Sequence, residues 1–412
     1  MTEVPITLPE LTQAFHDATS LKFLHEIYKA AKKDLFEGVR QIMTFGLEHP
    51  VLEAIGSILR KRAITIGSFT HAVKVELDLD NLAVKQAFED HCSTTIPDVT
   101  YKLFYGTFLD TKGHIIEDTL FYKTSDNKLV CTGNLADLWV WYDRFGQFLG
   151  NGFEDMTQKQ GIYYLYGSAA EEFVTALTGE SMTDIGWRGV RTANLYGIPI
   201  SLSVTTYTPF KGVEIQFPIE HLQTIWELCF TLAQLYNIDI RPCGLTGRNL
   251  ARILAFLLLG GNDYGTKEST ITPNALGIPI KSAPFSGKYE SEDSQLEMVR
   301  VYVSSRANTR RIKEQELLAC KLGFITSVGY LPSATELLKR SNLFPTTKDE
   351  ESIIKALWKL LPRRITGNHL MVVTYKGALK PGQRILVAYG PGRKEIYGKV
   401  CRNRRAWPRI RQ

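Results

Sequence analysis

Tyr105–Tyr122, YGTFLDTKGHIIEDTLFY, is the stretch from which the fold is read. Tyr105–Leu109 is rich in β-formers, and Asp110-Thr111-Lys112-Gly113 supplies turn chemistry, with Gly113 free to take a positive φ. Ile115–Tyr122 alternates, so Ile116, Asp118, Leu120 and Tyr122 share one face and Ile115, Glu117, Thr119 and Phe121 the other. The stretch predicts a β-hairpin. Asp118 therefore falls among apolar neighbours on a strand. A carboxylate there lies either in water at a sheet edge or in a cavity whose occupant wants negative charge.

The surrounding chain bounds the possibilities. Its 412 residues are 44% hydrophobic and 22% charged, which predicts two or three folded domains. The longest apolar run, Ile253–Leu259, is too short to span a bilayer, and the N-terminus lacks the plan of a signal peptide. The six cysteines are scattered with no CxxC pair, which fits neither a zinc site nor a disulfide framework and points to the cytoplasm. Eight Lys/Arg against one Glu in Arg393–Arg411 account for the net charge of +6. No nucleic-acid module accompanies that tail, so it reads as a solvated strand and tail. There is no phosphate-binding loop, dinucleotide fingerprint, HExxH or nucleophile elbow.

Helical spacing predicts helices over Leu11–Phe36, Leu52–Arg62, a segment capped by Asp80-Asn81 and ending near His91, and Ile219–Tyr236. Strands are expected at Ile64–Phe69, Ala72–Leu77, Lys128–Thr132, Ile198–Thr206, Val213–Phe217, Glu297–Ser304, His369–Thr374 and Arg384–Tyr389. A further helix is expected near Glu350–Leu361.

Three blocks resemble the folate-dependent aminomethyltransferase family, which comprises the glycine cleavage T-protein and tetrahydrofolate-dependent demethylases. In the hairpin, Tyr105, Gly113, Ile115-Ile116, Glu117 and Asp118 stand in the family's places. In Thr205–Phe217, TTYTPFKGVEIQF, the residues Thr205, Tyr207, Thr208, Gly212, Glu214 and Ile215 match, while Thr206 and Pro209-Phe210 depart. In Arg241–Gly265, Pro242-Cys243-Gly244-Leu245, Arg248, Arg252 and Tyr264-Gly265 match, and Leu254 replaces a Glu. Gln160–Ala170 keeps Gly167 and Ala170 but has Tyr166 for a Gln and Ser168 for a Pro. The spelling Gly113-His114-Ile115-Ile116 is similar to the O-demethylase branch, although Gly133 stands where that branch places a cation.

The resemblance implies an α+β, three-domain aminomethyltransferase-like fold around a central folate channel. Residues 1–60 and 150–240 would form one mixed domain, and 61–149 with 241–285 a second carrying the hairpin. Residues 286–412 would form a small C-terminal β-barrel with a helical insertion near 337–367. It implies a tetrahydrofolate-dependent methyltransferase that takes a methyl group from a methoxylated aromatic or similar donor to folate N5. The alternatives are a glycine-cleavage-type aminomethyltransferase and a non-catalytic folate-binding member. Asp118 and Tyr105 would be catalytic. Glu214, Arg252, Tyr166 and Tyr207 would hold the folate, and His71, Phe210 and Arg248 the donor. Arg248 and Arg252, four apart, would project from one helical face. Asp118 and a helical guanidinium would converge on one pterin-holding hollow. No metal, membrane or nucleic acid is expected as a partner, and the oligomeric state is left open.

Overall fold

The computed structural model describes residues 63–70, 72–134, 138–207, 212–243, 248–249, 252–253, 257–260, 263–264, 272–273, 296–304, 312, 317–331, 367–389 and 395–401. The helices expected over Leu11–Phe36, Leu52–Arg62 and Glu350–Leu361 lie outside these residues. The chain divides into two compact units, with Val73–Asp155 and the described residues from Arg252 to 401 in the second.

The first unit is built on a six-stranded sheet in the order β11-β1-β7-β10-β9-β8. Its strands are β1 (Ala63–Ser68), β7 (Gln160–Tyr166), β8 (Val190–Leu195), β9 (Ile198–Ser203), β10 (Gly212–Pro218) and β11 (Asp239–Pro242). β1 and β11 pair in parallel, Ala63 opposite Asp239, and the remaining pairs are antiparallel. This pairing brings residues 63–68 and 239–242 into one sheet, and the expected boundary between 240 and 241 falls inside β11.

Alternation in β7 sorts the sheet's faces. Tyr163 and Leu165 join Val213, Ile215 and Phe217 of β10 in a core covered by α3 (Ala170–Thr178) and α5 (Leu222–Leu235). The helices bury Phe173, Val174, Ile225, Trp226 and Cys229 there, as their 3.6-residue spacing dictates. Tyr164 and Tyr166 point to the opposite face. α3 ends at Gly179, whose φ of 76° closes the last turn. The short helix α4 (Met182–Ile185) begins at the side-chain cap Ser181.

The second unit holds two five-stranded sheets. One runs β3-β4-β5-β2-β6, from β2 (Val73–Asp78), β3 (Phe104–Leu109), β4 (Ile115–Lys123), β5 (Lys128–Gly133) and β6 (Phe153–Asp155). The expected hairpin is β3–β4, with Gly113 at φ 81° in its turn. Val73, Val75, Phe108, Phe121 and Cys131 face α1 (Leu82–His91) and α2 (Leu138–Phe145). Phe88 of α1 meets Phe108 and Phe121 edge-on, and Trp141 of α2 meets Phe108. The Asn81 side chain caps α1 by accepting the N–H groups of Ala83 and Val84.

The other sheet runs β13-β14-β12-β16-β15, all antiparallel. Its strands are β12 (Leu296–Ser304), β13 (Gly323–Leu331), β14 (Gly367–Tyr375), β15 (Arg384–Tyr389) and β16 (Glu395–Val400). Val299, Val301, Ile325, Leu370 and Val372 form its core. Within the basic stretch, Glu395–Val400 is strand β16, paired with β12 and β15. Among the described residues no helix is long and apolar enough to cross a membrane.

Candidate functional site

In the first unit, the face of the sheet turned away from α3 and α5 carries a carboxylate among tyrosines. Glu214 lies opposite Tyr164 in register, and Gly212 opposite Tyr166. A Cβ on Gly212 would collide with the Tyr166 ring, so the missing side chain lets that ring lie across β10. Tyr166 is fully buried and its hydroxyl donates to Glu214 Oε1 at 2.8 Å. Tyr164 stacks on Tyr166 with centroids 4.8 Å apart and donates its hydroxyl to the Cys243 carbonyl. Phe69 packs on Tyr164 at 4.7 Å.

Arg248 lies against the same group. Its guanidinium sits 3.6 Å from the Phe69 ring centroid and 4.4 Å from that of Tyr207. Burial pushes the Glu214 carboxyl above its ordinary range, while the Tyr166 hydroxyl and then the Arg248 charge oppose that rise. Burial likewise drives the Tyr164 and Tyr166 phenols well up, so both stay neutral donors. The result is a flat aromatic wall beside one carboxylate and one cation. Such a set suits a planar heterocycle bearing N–H donors, because a carboxylate accepts two of them side by side.

In the second unit, Asp118 occupies the face of its sheet turned away from α1 and α2. Asn134 donates its side-chain amide to Asp118 Oδ1 at 2.7 Å. Asn134 is itself fixed by its backbone N–H, which donates to Glu117 Oε1 at 3.0 Å. Glu117 points to the opposite face of β4 and is 1% exposed. The Tyr105 and Tyr264 hydroxyls meet at 3.1 Å. Burial raises the Asp118 carboxyl above the usual carboxylate range; hydrogen bonds from Tyr264, Tyr105 and Asn134, in that order, oppose the shift. A Cβ on Gly260 would strike Asp118 Oδ1 and Asn134 Nδ2, so the backbone at Gly260 abuts the carboxyl directly.

Lys74 shares this face, since Tyr105, Leu120, Thr132 and Lys74 stand in one row across β3, β4, β5 and β2. It is 0% exposed. Burial lowers its ammonium to about 7, and the Asp155 charge partly offsets that effect.

The sequence-predicted residues thus fall into two groups. Glu214, Tyr166, Tyr207 and Arg248 come together in the first unit, and Asp118 and Tyr105 in the second. Arg252, expected to meet a folate or substrate anion, meets Asp263 in a buried ion pair. It and Arg248, four positions apart, have different neighbours instead of sharing one site. Arg252 and Asp118 are connected through the segment 257–264, which carries Asp263, Gly260 and Tyr264. His71 and Phe210 lie outside the described residues. Asn134, Glu117 and Lys74 were not expected at a site. The resemblance marks Glu117 as a motif place and the Gly133-Asn134 junction as one that packs near the folate, but it assigns neither Glu117 nor Asn134 a role at the carboxylate.

Comparison with known proteins adds a frame to this geometry. The family model of the GCVT N-terminal domain matches residues 83–281. A probable aminomethyltransferase of Halobacterium salinarum is 28% identical over 191 residues, covering 44% of this chain and 51% of that protein. An aminomethyltransferase of Caldanaerobacter subterraneus is 28% identical over 199 residues, covering 47% of this chain and 52% of that protein. The chain therefore spans about half the length of the curated relatives it matches. The solved aminomethyltransferase T of the glycine cleavage system from Bartonella henselae superposes with a TM-score of 0.63. The match covers 88% of this chain and 90% of that one at 14% identity, a likeness of fold.

Proposed function

We propose, from the premise that this chain belongs to the aminomethyltransferase-like superfamily, that it is an enzyme transferring a one-carbon unit between a small donor and tetrahydrofolate. The supporting observation is the pair of tyrosine-lined carboxylates, Glu214 and Asp118, each raised by burial and each on the sheet face turned from its helices. Tetrahydrofolate, when bound, supplies a nucleophilic nitrogen and a flat pterin ring with N–H donors.

The donor set in the first unit fits that ring. Glu214 accepts the ring's N–H edge, and Tyr166 keeps one carboxylate oxygen oriented. Because each oxygen has two lone pairs, the Tyr166 bond leaves acceptor capacity for a ligand. The Arg248 charge favours the anionic form of Glu214 against the burial that raises it, and the Tyr164, Tyr166 and Tyr207 rings border the plane. Asp118 holds or receives the proton that moves during transfer and offsets positive charge that develops nearby. Tyr105 and Tyr264 stabilise its ionised form and relay a proton to a leaving group.

The aminomethyl donor is the leading reading, because the matched relatives are named aminomethyltransferases. A methoxylated aromatic donor is the second reading, favoured by Pro209-Phe210 in place of the family's Gly-Glu pair. The three-domain plan belongs to the same proposal, with strands β12–β16 closing as a small barrel. So does residence in the cytoplasm, with all six cysteines free.

The test is to incubate the protein with tetrahydrofolate and each donor class and weigh the folate product. Methylene-tetrahydrofolate from an aminomethyl donor supports the first reading, and methyl-tetrahydrofolate from a methoxyarene the second. Binding without product would leave a folate-binding protein that is not an enzyme. Failure to bind tetrahydrofolate would overturn the proposal.

A further inference from the structure

Arg252 and Asp263 are both fully buried, and neither lies on the sheet that carries Asp118. Their contacts centre on one short segment. Arg252 Nη1 donates to Asp263 Oδ2 and to the Leu257 carbonyl, the latter at 3.3 Å. Asp263 Oδ2 also accepts the Leu259 N–H at 3.0 Å. The backbone closes the same loop, with Leu257 N–H donating to Arg252 O at 2.9 Å and Asp263 N–H to Leu259 O at 2.8 Å. The segment is thus tied at 257, 259 and 263. Two members of it that take no part in the ion pair, Gly260 and Tyr264, form a β-bridge and face Asp118.

We propose that the Arg252–Asp263 ion pair is a positioning device that fixes the Gly260–Tyr264 segment against Asp118, and so sets the hydrogen bond that Tyr264 makes to that carboxyl. The inference rests on the role given to Asp118 under the proposed function. A lone buried arginine needs an anionic partner, and a buried aspartate needs donors; here each answers the other while holding a loop. The spacing explains why Asp263 stands next to Tyr264. The ion pair anchors one residue, and its neighbour in sequence is delivered to the site. The groups that face Asp118 are the Tyr105 phenol from β3, the Asn134 amide after β5, and the Tyr264 phenol with the Gly260 backbone from the segment. Arg252 and Asp263 are positioning residues in this scheme.

The decisive experiment is a double-mutant cycle on the whole, ligand-free chain. The Asp118 carboxyl is followed by carbon-13 NMR of labelled aspartate, its signal assigned by its loss in Asp118→Asn. With the ion pair intact, Tyr264→Phe removes a donor and moves the Asp118 midpoint upward. In Arg252→Met/Asp263→Leu, an apolar replacement of similar volume, Tyr264→Phe is expected to move it no further. An equal shift in both backgrounds would overturn the proposal. If the double variant does not fold, Arg252→Lys carries the same comparison, because it keeps a cation beside Asp263 but loses the guanidinium that also reaches the Leu257 carbonyl. In the transfer assay, loss of the ion pair should lower kcat about ten- to a hundredfold with the folate KM unchanged, the scale expected of a misplaced reacting group. Unchanged kcat would count against positioning. Wild-type protein with no transfer activity would defeat the functional reading, and the titration cycle would still decide this inference.

Discussion

Glu214 and Asp118 make an informative comparison, since each is a carboxylate raised by burial and each lies on a sheet beside tyrosines. They differ in what opposes the rise. At Glu214 one phenol and a guanidinium do so. At Asp118 two phenols, a side-chain amide and a backbone hydrogen bond do so, all neutral. A cation beside a carboxylate holds it ionised and ready to accept hydrogen bonds, which suits binding. Neutral donors leave a carboxylate closer to the balance between its two forms, which suits proton transfer. The same residue chemistry thus serves two ends, and the neighbour's charge decides which.

The largest effect that would sharpen this contrast is on turnover. Asp118→Asn keeps the shape and the Asn134 contact but cannot exchange a proton. It should lower kcat by about 10²- to 10⁴-fold and leave folate affinity near the wild-type value, as measured by steady-state kinetics beside calorimetric titration. Comparable losses in both would erase the distinction drawn here.

Next in size is Glu214→Gln, which removes charge-assisted acceptance at the ring edge. Loss of one such bond is worth about 1.5–3 kcal/mol, so the folate Kd should rise roughly ten- to a hundredfold. A Kd unchanged in calorimetry would remove Glu214 from the binding site.

Arg248→Met should act more subtly, through pH. Without the guanidinium the Glu214 carboxyl rises further, because the opposing positive charge is gone. Folate affinity, which needs the ionised form, should then begin to fall at a higher pH on the acid side than in the wild type. Superimposable affinity–pH curves for the two proteins would contradict the pairing.

The smallest effects are on stability, and their signs differ at Asp118 and Lys74. The Asp118 carboxyl is raised in the folded chain, so the unfolded chain ionises first as pH climbs above 3.8. Folding therefore loses stability from there up through the folded value. Asp118→Asn should raise Tm at pH 7, and the gain should vanish near pH 4. For Lys74 the folded value is about 7 against an ordinary 10.5. As pH falls below 10.5 the unfolded chain takes a proton that the folded chain takes only near 7, so the penalty grows across that window. Lys74→Met should stabilise most at pH 7 and below and hardly at all above pH 10.5, by thermal melts across the range. The reverse pH trend would show that Lys74 is held as a charged partner.

The sequence made the local pieces legible and concealed the long-range ones. Alternation in Ile115–Tyr122 gave the strand and put Asp118 opposite Glu117. Asn81 announced α1 because an Asn before a helical run is a common cap. Periodicity separates two faces without saying which faces the helices. Glu117 and not Asp118 turned out to share the face packed by α1 and α2, where it holds the Asn134 backbone. Strand β8 escaped notice because its exposed Arg191, Thr192 and Asn194 leave no apolar stripe. The partner of Arg252 lies eleven positions on, past the three or four over which side chains of one helix meet, so no pairing rule joins it to Asp263. For the same reason no local pattern announces the parallel pairing of β1 and β11, which are separated by most of the first unit's sequence.

The division of labour between the two carboxylates is tested most directly by single-turnover transfer at saturating tetrahydrofolate, comparing Glu214→Gln with Asp118→Asn. Saturation should restore the rate of Glu214→Gln close to wild type, because its defect is occupancy, and should leave Asp118→Asn slow, because its defect is chemistry. A rate that returns in Asp118→Asn, or that stays low in Glu214→Gln once the folate is bound, would contradict the account.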